Sequence, residues 1–439
     1  MRPIGIDLFA GVGGLSLGFE QAGFDVVAAV EIDPIHCAAH AFNFPQCAVI
    51  PKSIVDLTGE EIRERAKIGD RKIDVVFGGA PCQGFSLIGH RALDDPRNSL
   101  VKQFVRIVGE LEPSCFVFEN VKGLTVGRHR KFLDEVIEAF EDLGYKVRLP
   151  WRVLNSADYG VPQDRERVFL IGAKDGATAP TYPKPITAPA GTLKFDKVLC
   201  EGPCVREAIG DLPNADDFPE LFETDEVKTS TLAIRSAYAR EMRCLTNDCW
   251  HFGHPRIWNP THLTASMRTD HSEISRRRFT ETAPGTVEPI SRFYKLDPLG
   301  ISNTLRAGTD SARGAFTSPR PIHYEHNRCI TVREMARLHG FPDWFRFHET
   351  KWHGARQIGN AVPPPLARAV AGSVIKALGR RPSQPEVALP LGDVSLLRIG
   401  MAEASARWQI DVPIGRRDRK SGARKRSQAE TEAERLAAP

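Results

Sequence analysis

Residues 4–14 read Ile4-Gly5-Ile6-Asp7-Leu8-Phe9-Ala10-Gly11-Val12-Gly13-Gly14, and a helical pattern, Leu15–Ala22, follows at once. An apolar run of strand length thus passes through a glycine-rich turn into a helix. Glycines let a chain turn tightly and approach a ligand closely. A strand feeding a helix in this way opens a doubly wound α/β sheet, whose ligands bind beyond the carboxyl ends of its strands. The pattern continues downstream. Further strands are expected at Val26–Val30, Ala48–Ile50, Asp74–Phe77, Cys115–Phe118, Trp151–Leu154 and Val168–Ile171, and helical patterns at Ser99–Glu110 and His129–Leu143. Short apolar runs alternating with helices predict an α/β fold, a Rossmann-like sheet with helices on both faces.

The texture changes after Gly172. Residues 174–195 hold Pro180, Pro183, Pro185 and Pro189 and read as a linker, and the polar stretch from about 196 to 330 shows no clean period. Order returns at Thr331–Leu338, and a helix after Pro363-Pro364-Pro365 places Leu366, Val370, Val374 and Leu378 on one face. The expected domains are 1–175, catalytic and cofactor-binding; 176–325, smaller and irregular; 326–380, a return segment; and 381–439, a tail. That last stretch carries 11 Lys+Arg against 8 Asp+Glu, so a chain of net charge +4 has a nearly neutral body. Such a body binds nucleic acid only by clustering its basic residues on one face. No stretch is apolar for long enough to span a membrane. The first strand begins almost at Met1, which leaves no room for a leader, and the nine scattered cysteines suggest reduced thiols in a cytoplasmic protein.

Glu31 ends the second strand, 20 residues after Gly11, where an acid can accept hydrogen bonds from ribose hydroxyls. A dinucleotide fingerprint would want glycine where Ser16 stands. Asp7 and Asp56, flanking acids, suit a cationic cofactor such as S-adenosylmethionine. Phe9 could pack on its adenine and Asp56 could accept from the exocyclic amine. A glycine turn needed only for packing remains the alternative at any one of these residues.

Gly78-Gly79-Ala80-Pro81-Cys82-Gln83-Gly84-Phe85-Ser86 follows the fourth strand and places Cys82 on a glycine-rich loop. Glu119-Asn120-Val121 follows the next strand, and Gln163-Asp164-Arg165-Glu166-Arg167 leads into the last. If the strands ending at Phe77 and Phe118 are neighbours, Cys82 and Glu119 face one another. A thiol, a carboxyl and a guanidinium beside a methyl donor suggest one chemistry. The 5-carbon of cytosine is a poor nucleophile. Thiolate addition at carbon 6 turns the ring into an enamine whose 5-carbon can attack a methyl group. A protonated carboxyl at ring nitrogen 3 would add roughly 10²–10⁴ in rate, and arginine can hold the exocyclic oxygen. A lone cysteine is usually a small core residue, but its place on this loop argues for a nucleophile.

These segments resemble the DNA (cytosine-5)-methyltransferase family. Asp7–Gly14, Gly79–Gln83, Glu119–Val121 and Gln163–Arg167 look like its motifs in order, followed by Arg333-Glu334-Met335-Ala336-Arg337-Leu338 with Gly340-Phe341-Pro342, and by Gln357-Ile358-Gly359-Asn360-Ala361-Val362-Pro363. The resemblance implies a mixed sheet of the S-adenosylmethionine-dependent methyltransferase type, with a target-recognition region between Arg167 and Arg333. Cys82 would attack carbon 6, Glu119 would contact ring nitrogen 3, Arg167 would contact the base oxygen, and Arg165 and Asn120 would support them. Phe9, Gly11, Gly13, Glu31, Ile32, Asp56, Leu57, Pro81, Leu100, Asn360 and Val362 would line the cofactor pocket, with the last helix packed beside the first strand. The implied substrate is double-stranded DNA, methylated by a monomer in a bacterial cytoplasm, in company with a restriction nuclease or another defence component. An RNA cytosine-5 methyltransferase of the same fold, or an inactive DNA-binding relative, is the alternative.

Loop Ser86–Asn98 could close over a flipped base. Cys200, Cys204, Cys244 and Cys249 are spaced too widely for a strong zinc signature, and no metal is assigned. Arg276-Arg277-Arg278 could contact phosphates or form a solvated basic run, and Arg416–Arg426 could add salt-sensitive affinity.

Overall fold

The computed structural model describes residues 2–81, 99–127, 129–192, 199–229, 236–309 and 317–410. Cys82, the loop Ser86–Asn98 and the basic cluster Arg416–Arg426 lie outside the described residues. Eight strands form one sheet: β1 (Ile4–Leu8), β2 (Asp25–Glu31), β3 (Ala48–Pro51), β4 (Val75–Gly78), β5 (Cys115–Val121), β6 (Tyr145–Val147), β7 (Arg152–Asn155) and β8 (Glu166–Lys174). The order is β3-β2-β1-β4-β5-β8-β6, with β7 also paired to β8. β1 to β5 run parallel and β8 runs antiparallel to β5. The sheet is therefore mixed, as the resemblance implies. The chain crosses over between β1 and β4, which opens a crevice at their carboxyl ends.

Helices cover both faces because the strands are buried on both. Ile6, Leu8, Val76, Phe116 and Phe118 pack under α3 (Gly59–Arg65), α4 (Ser99–Leu111) and α5 (His129–Asp142). Val75, Phe77, Val117 and Phe169 pack under α1 (Gly14–Ala22) and α2 (Pro34–Asn43), where Phe19 stacks on Phe77 at 3.7 Å. Helix α2 left no amphipathic period because His36, His40 and Asn43 are buried along with its apolar residues. β6 is only three residues long, too short to leave a pattern. Glu119 and Asn120, expected just past their strand, lie within it, because β5 pairs with β8 as far as Val121 opposite Arg167.

Stretch 176–325 does not fold apart from the catalytic body. Its helices α6 (Val205–Ile209) and α7 (Ala237–Met242) contribute Val205, Ile209, Tyr238 and Met242 to the same core as α1 and the return segment, whereas α8 (Glu273–Glu281) supplies Phe279 to a small cluster with Ile322 and Cys329. Arg256 pairs with Glu20 of α1 at 2.8 Å, fully buried, and lies over the Trp344 ring. The return segment holds α9 (Val332–Leu338), α10 (Lys351–Asn360) and α11 (Pro364–Ala377). Helix α11 packs on helix α1, where the expectation was the first strand, so closely that a Cβ on Gly18 would lie 2.3 Å from the Ala367 methyl.

The expected tail begins too early. Leu396, Leu397, Ile399 and Ala404 are buried in the main core, and Leu389–Pro390 pairs with Arg256–Ile257. Up to residue 410 this segment belongs to the body, ending in α12 (Met401–Trp408). Its apolar residues are too few and too scattered in sequence to signal burial. Among the described residues no helix is long and apolar enough to cross a membrane.

Candidate active site

The parallel strands bring Leu8, Glu31, Gly78 and Glu119 to one edge of the sheet, and antiparallel β8 begins there with Glu166-Arg167. β4 and β5 are neighbours, with Gly78 opposite Phe118. Glu119 and Arg167 stand diagonally across β5 and β8, and Arg167 Nε lies 2.8 Å from Glu119 Oε1. Burial raises the Glu119 pKa, while Arg167 and Arg165 lower it less. The net shift is upward, in the direction of the protonated form that a donor to a ring nitrogen requires.

The chain leading to Cys82 is fixed on this pair. Asn120 Nδ2 donates to the Ala80 carbonyl at 2.9 Å, and Pro81 is exposed. A Cβ on Gly79 would lie 2.4 Å from Glu119 Oε2, so only glycine lets the loop backbone rest against that carboxyl. Arg165 is a buried tie and not a surface contact. Its guanidinium donates to the carbonyls of Leu305 (3.0 Å), Gly359 (2.8 Å) and Ala361 (2.9 Å), gripping both flanks of Asn360.

The glycine loop after β1 holds the other half of the site. Phe9 takes φ 62°, a left-handed conformation rare outside glycine, and Gly11 and Gly13 also have positive φ. Glu31 caps this loop: its carboxylate accepts from the N–H groups of Gly11 (2.7 Å), Ile32 (2.9 Å) and Asp33 (2.8 Å). A carboxylate has about four acceptor positions, so capacity remains for a ligand hydroxyl. Phe9 and Leu100 are both half-buried against one apolar cluster that includes Leu57, while Ile32 and Asp56 are exposed. Val362 closes on the loop, since a Cβ on Gly14 would lie 2.4 Å from its carbonyl oxygen. Exposed Asn360 therefore stands two residues from the loop contact, although nearly 350 residues separate it from Gly14 in sequence.

The family model for C-5 cytosine-specific DNA methylases matches residues 4–376. The chain belongs to that family. It is similar to the type II methyltransferase M.XorII of Xanthomonas oryzae pv. oryzae, with 60% identity over 95% of each chain. It is also similar to M1.HphI of Haemophilus parahaemolyticus, with 37% identity over 84% of this chain and 86% of that one. A solved E. coli structure, described as a prophage-encoded DNA modification methyltransferase, superposes with a TM-score of 0.67 at 32% identity, covering 86% of this chain and 100% of the other. The protein is a DNA (cytosine-5)-methyltransferase. Its family implies S-adenosylmethionine as methyl donor and DNA as substrate.

Two sequence readings of this methyltransferase change. Asp7, read as an acid facing a cationic cofactor, is fully buried, and burial pushes its pKa up to about 8. Ser16 Oγ lies 2.6 Å from Asp7 Oδ2 and 3.0 Å from His40 Nε2, so Ser16 joins a polar chain beneath the loop. The Arg276–Arg278 run is largely absorbed into the fold. Arg276 pairs with Asp216 at 2.9 Å and Arg278 lies 3.7 Å from Glu288, leaving Arg277 at 81% exposure beside Glu281. Gln163 was not singled out, yet it donates to the Leu338 carbonyl and accepts from the Leu305 N–H. Its position at the head of the Gln163–Arg167 motif was the available signal. Cys244 and Cys249 are free thiols and Cys204 caps α6.

Proposed function

We propose that this methyltransferase modifies the 5-carbon of a cytosine flipped out of duplex DNA, through a transient bond from Cys82 to carbon 6. The observation that carries the reading is the buried Glu119–Arg167 pair, tied through Asn120 to the carbonyl that precedes Pro81-Cys82. Flipping costs a few kcal/mol, and a fixed donor set at the pocket offsets it. Protonated Glu119 donates to ring nitrogen 3 as electron density moves there, and Arg167 holds the exocyclic oxygen. Once the 5-carbon carries its methyl, a base removes the proton there and the thiol leaves.

S-adenosylmethionine supplies the electrophilic methyl group. The residues fit it: a loop bared of side chains at Gly11 and Gly13, a carboxylate already oriented by three N–H groups, and the half-buried apolar surface of Phe9 and Leu100. Glu31 would take its ribose, with Ile32, Asp56, Leu57, Pro81, Asn360 and Val362 around the remainder. One chain supplies all these groups, which supports action as a monomer on DNA. The type II relatives support a role in host modification, in the bacterial cytoplasm beside a nuclease for the same site. Residues 176–325 would read that site.

Duplex DNA carrying 5-fluorocytosine tests the mechanism, because fluorine cannot leave as a proton does. With S-adenosylmethionine the protein should form a covalent complex that resists denaturation. No complex, or an equal one from Cys82→Ser, refutes it.

A further inference from the structure

The match to the family model ends at residue 376, but the chain beyond it wraps the cofactor half of the molecule. It leaves α11 at the end of α1, where a Cβ on Gly23 would lie 2.8 Å from Pro382. Arg2 donates to the Ser383 and Phe252 carbonyls there. Leu389 then donates to the Pro255 carbonyl at 2.8 Å, and Gly392 donates to the Phe42 carbonyl of α2 at 2.8 Å. Gly392 is a close approach, since its Cβ would lie 2.8 Å from the Phe42 Cα. Leu396 and Leu397 follow in a short 3-10 turn, Val394–Leu397, and that turn and α12 both pack on α2.

The same segment is bonded to the chain that leads into α10. Glu349 donates its N–H to the Leu397 carbonyl at 3.0 Å, and Arg398 pairs with the Glu349 carboxylate. His348 Nδ1 accepts the Thr350 N–H at 3.1 Å, so the neutral ring donates from Nε2 to the Ile399 carbonyl at 3.1 Å. His348 in turn donates its N–H to Gln357 Oε1 at 2.9 Å, and Gln357 Nε2 reaches the Ile35 carbonyl of α2 at 3.4 Å. Helix α2 begins three residues after Glu31, and α10 ends at Asn360.

We propose that residues 381–410 are a positioning strap for the methyl-donor pocket, clamping α2 against the segment 348–360 and so fixing the distance between Glu31 and Asn360. The proposal rests on the reading of Glu31 and Asn360 as donor-binding residues. A loosened strap would leave the pocket binding-competent for only part of the time, and apparent affinity falls in proportion to that fraction. The chemistry at Glu119 and Arg167, on the other side of the crevice, would not change once the donor is bound.

The test measures S-adenosylmethionine binding by calorimetry without DNA, together with kcat and both KM values. It compares the full chain, a chain ending after Gly379, Leu397→Ala and Glu31→Gln. The shortened chain should bind the donor about tenfold more weakly, as for a pocket competent about one-tenth of the time. Leu397→Ala should weaken it in the same direction, and kcat at saturating donor should be retained. Should the shortened chain fail to fold, Leu397→Ala, which keeps the rest of the strap, decides alone. Unchanged donor affinity in a folded strap variant, with Glu31→Gln weakened, overturns the strap and leaves the pocket reading standing. Unchanged affinity in Glu31→Gln overturns the pocket reading and the strap's role with it.

Discussion

Arg165→Met would remove a forked donor and leave a side chain of similar length. The carbonyls of Leu305, in the proposed recognition region, and Gly359 lose this partner, while the Ala361 carbonyl on the other side of Asn360 loses one of two, keeping its bond from the His339 ring at 3.0 Å. Each interior acceptor left unsatisfied costs about 1–3 kcal/mol, so a rigid backbone would lose roughly 2–6 kcal/mol at Leu305 and Gly359. Removing a buried guanidinium recovers part of its desolvation cost, which is several kcal/mol. The net destabilisation expected is about 1–4 kcal/mol, a sizeable share of a typical stability of about 5–15 kcal/mol, yet compatible with folding. Function should change in a particular way. Release of Gly359, with Ala361 left on the His339 ring alone, loosens Asn360 and should raise KM for S-adenosylmethionine, and release of Leu305 should raise KM for DNA. The Glu119–Arg167 contact is kept, and loss of the Arg165 charge moves the Glu119 pKa further up, toward the protonated form, so kcat at saturation should be retained. Arg165→Lys, which keeps the charge without the fork, should fall between. Urea unfolding and initial rates with each substrate varied in turn measure all of this. Unfolding within about 0.5 kcal/mol of the parent, the scale of an inert surface change, with both KM values unchanged, would refute the tie. A loss confined to kcat would instead make Arg165 a catalytic residue.

Glu119→Gln should lower kcat by about 10²–10⁴ with donor affinity unchanged. The parent's kcat should decline toward alkaline pH as Glu119 loses the proton that burial favours, and a flat profile at saturating substrates would argue against that role. Gly14→Ala drives a methyl to 2.4 Å from the Val362 carbonyl, a backbone atom that cannot swing aside, and should cost about 1–3 kcal/mol of stability and much of the donor affinity. Asp7 has a folded pKa of about 8, above its unfolded value, so its contribution to stability is complete below about pH 4 and is lost as pH rises toward 8. Asp7→Asn should flatten the stability curve over that window, as thermal melts across pH would report; an unaltered slope would show that Asp7 does not titrate there.

The catalytic half was legible because its chemistry sits where strands end, and strand ends are marked. Glu31, Gly78 and Glu119 each follow an apolar run, and the sheet lines those runs up. What adjacency cannot convey is depth. Asp7 and Glu31 are both acids beside one glycine loop, but Asp7 lies inside β1 and is covered, whereas Glu31 is the last residue of β2 and meets the loop's N–H groups. Glycine likewise reads as a turn in sequence, whereas Gly14 and Gly79 act by letting another group approach. Stretches 176–325 and 381–410 were opaque for a different reason. They contribute isolated side chains such as Tyr238, Leu296 and Leu397 to a core made elsewhere, and isolated insertions leave no period.

That manner of burial bears on how the enzyme keeps its proposed recognition region in register. Three buried arginines join it to the catalytic body at separate places: Arg165 to Leu305, Arg256 to Glu20, and Arg337 of α9 to Asp211 at 3.1 Å and to Asp343 at 2.6 Å. Buried ion pairs add little net stability over apolar packing of equal volume, but breaking one by removing a single partner costs about 3–5 kcal/mol. Apolar contacts tolerate sliding, whereas a guanidinium bonded at several fixed angles does not. On the proposed mechanism a flipped cytosine reaches Glu119 from a duplex held by residues of the stretch 176–325. Directional ties at Arg165, Arg256 and Arg337 are suited to holding that distance, so exchanging Arg256 and Glu20 together for apolar residues should preserve folding while loosening discrimination among target sites.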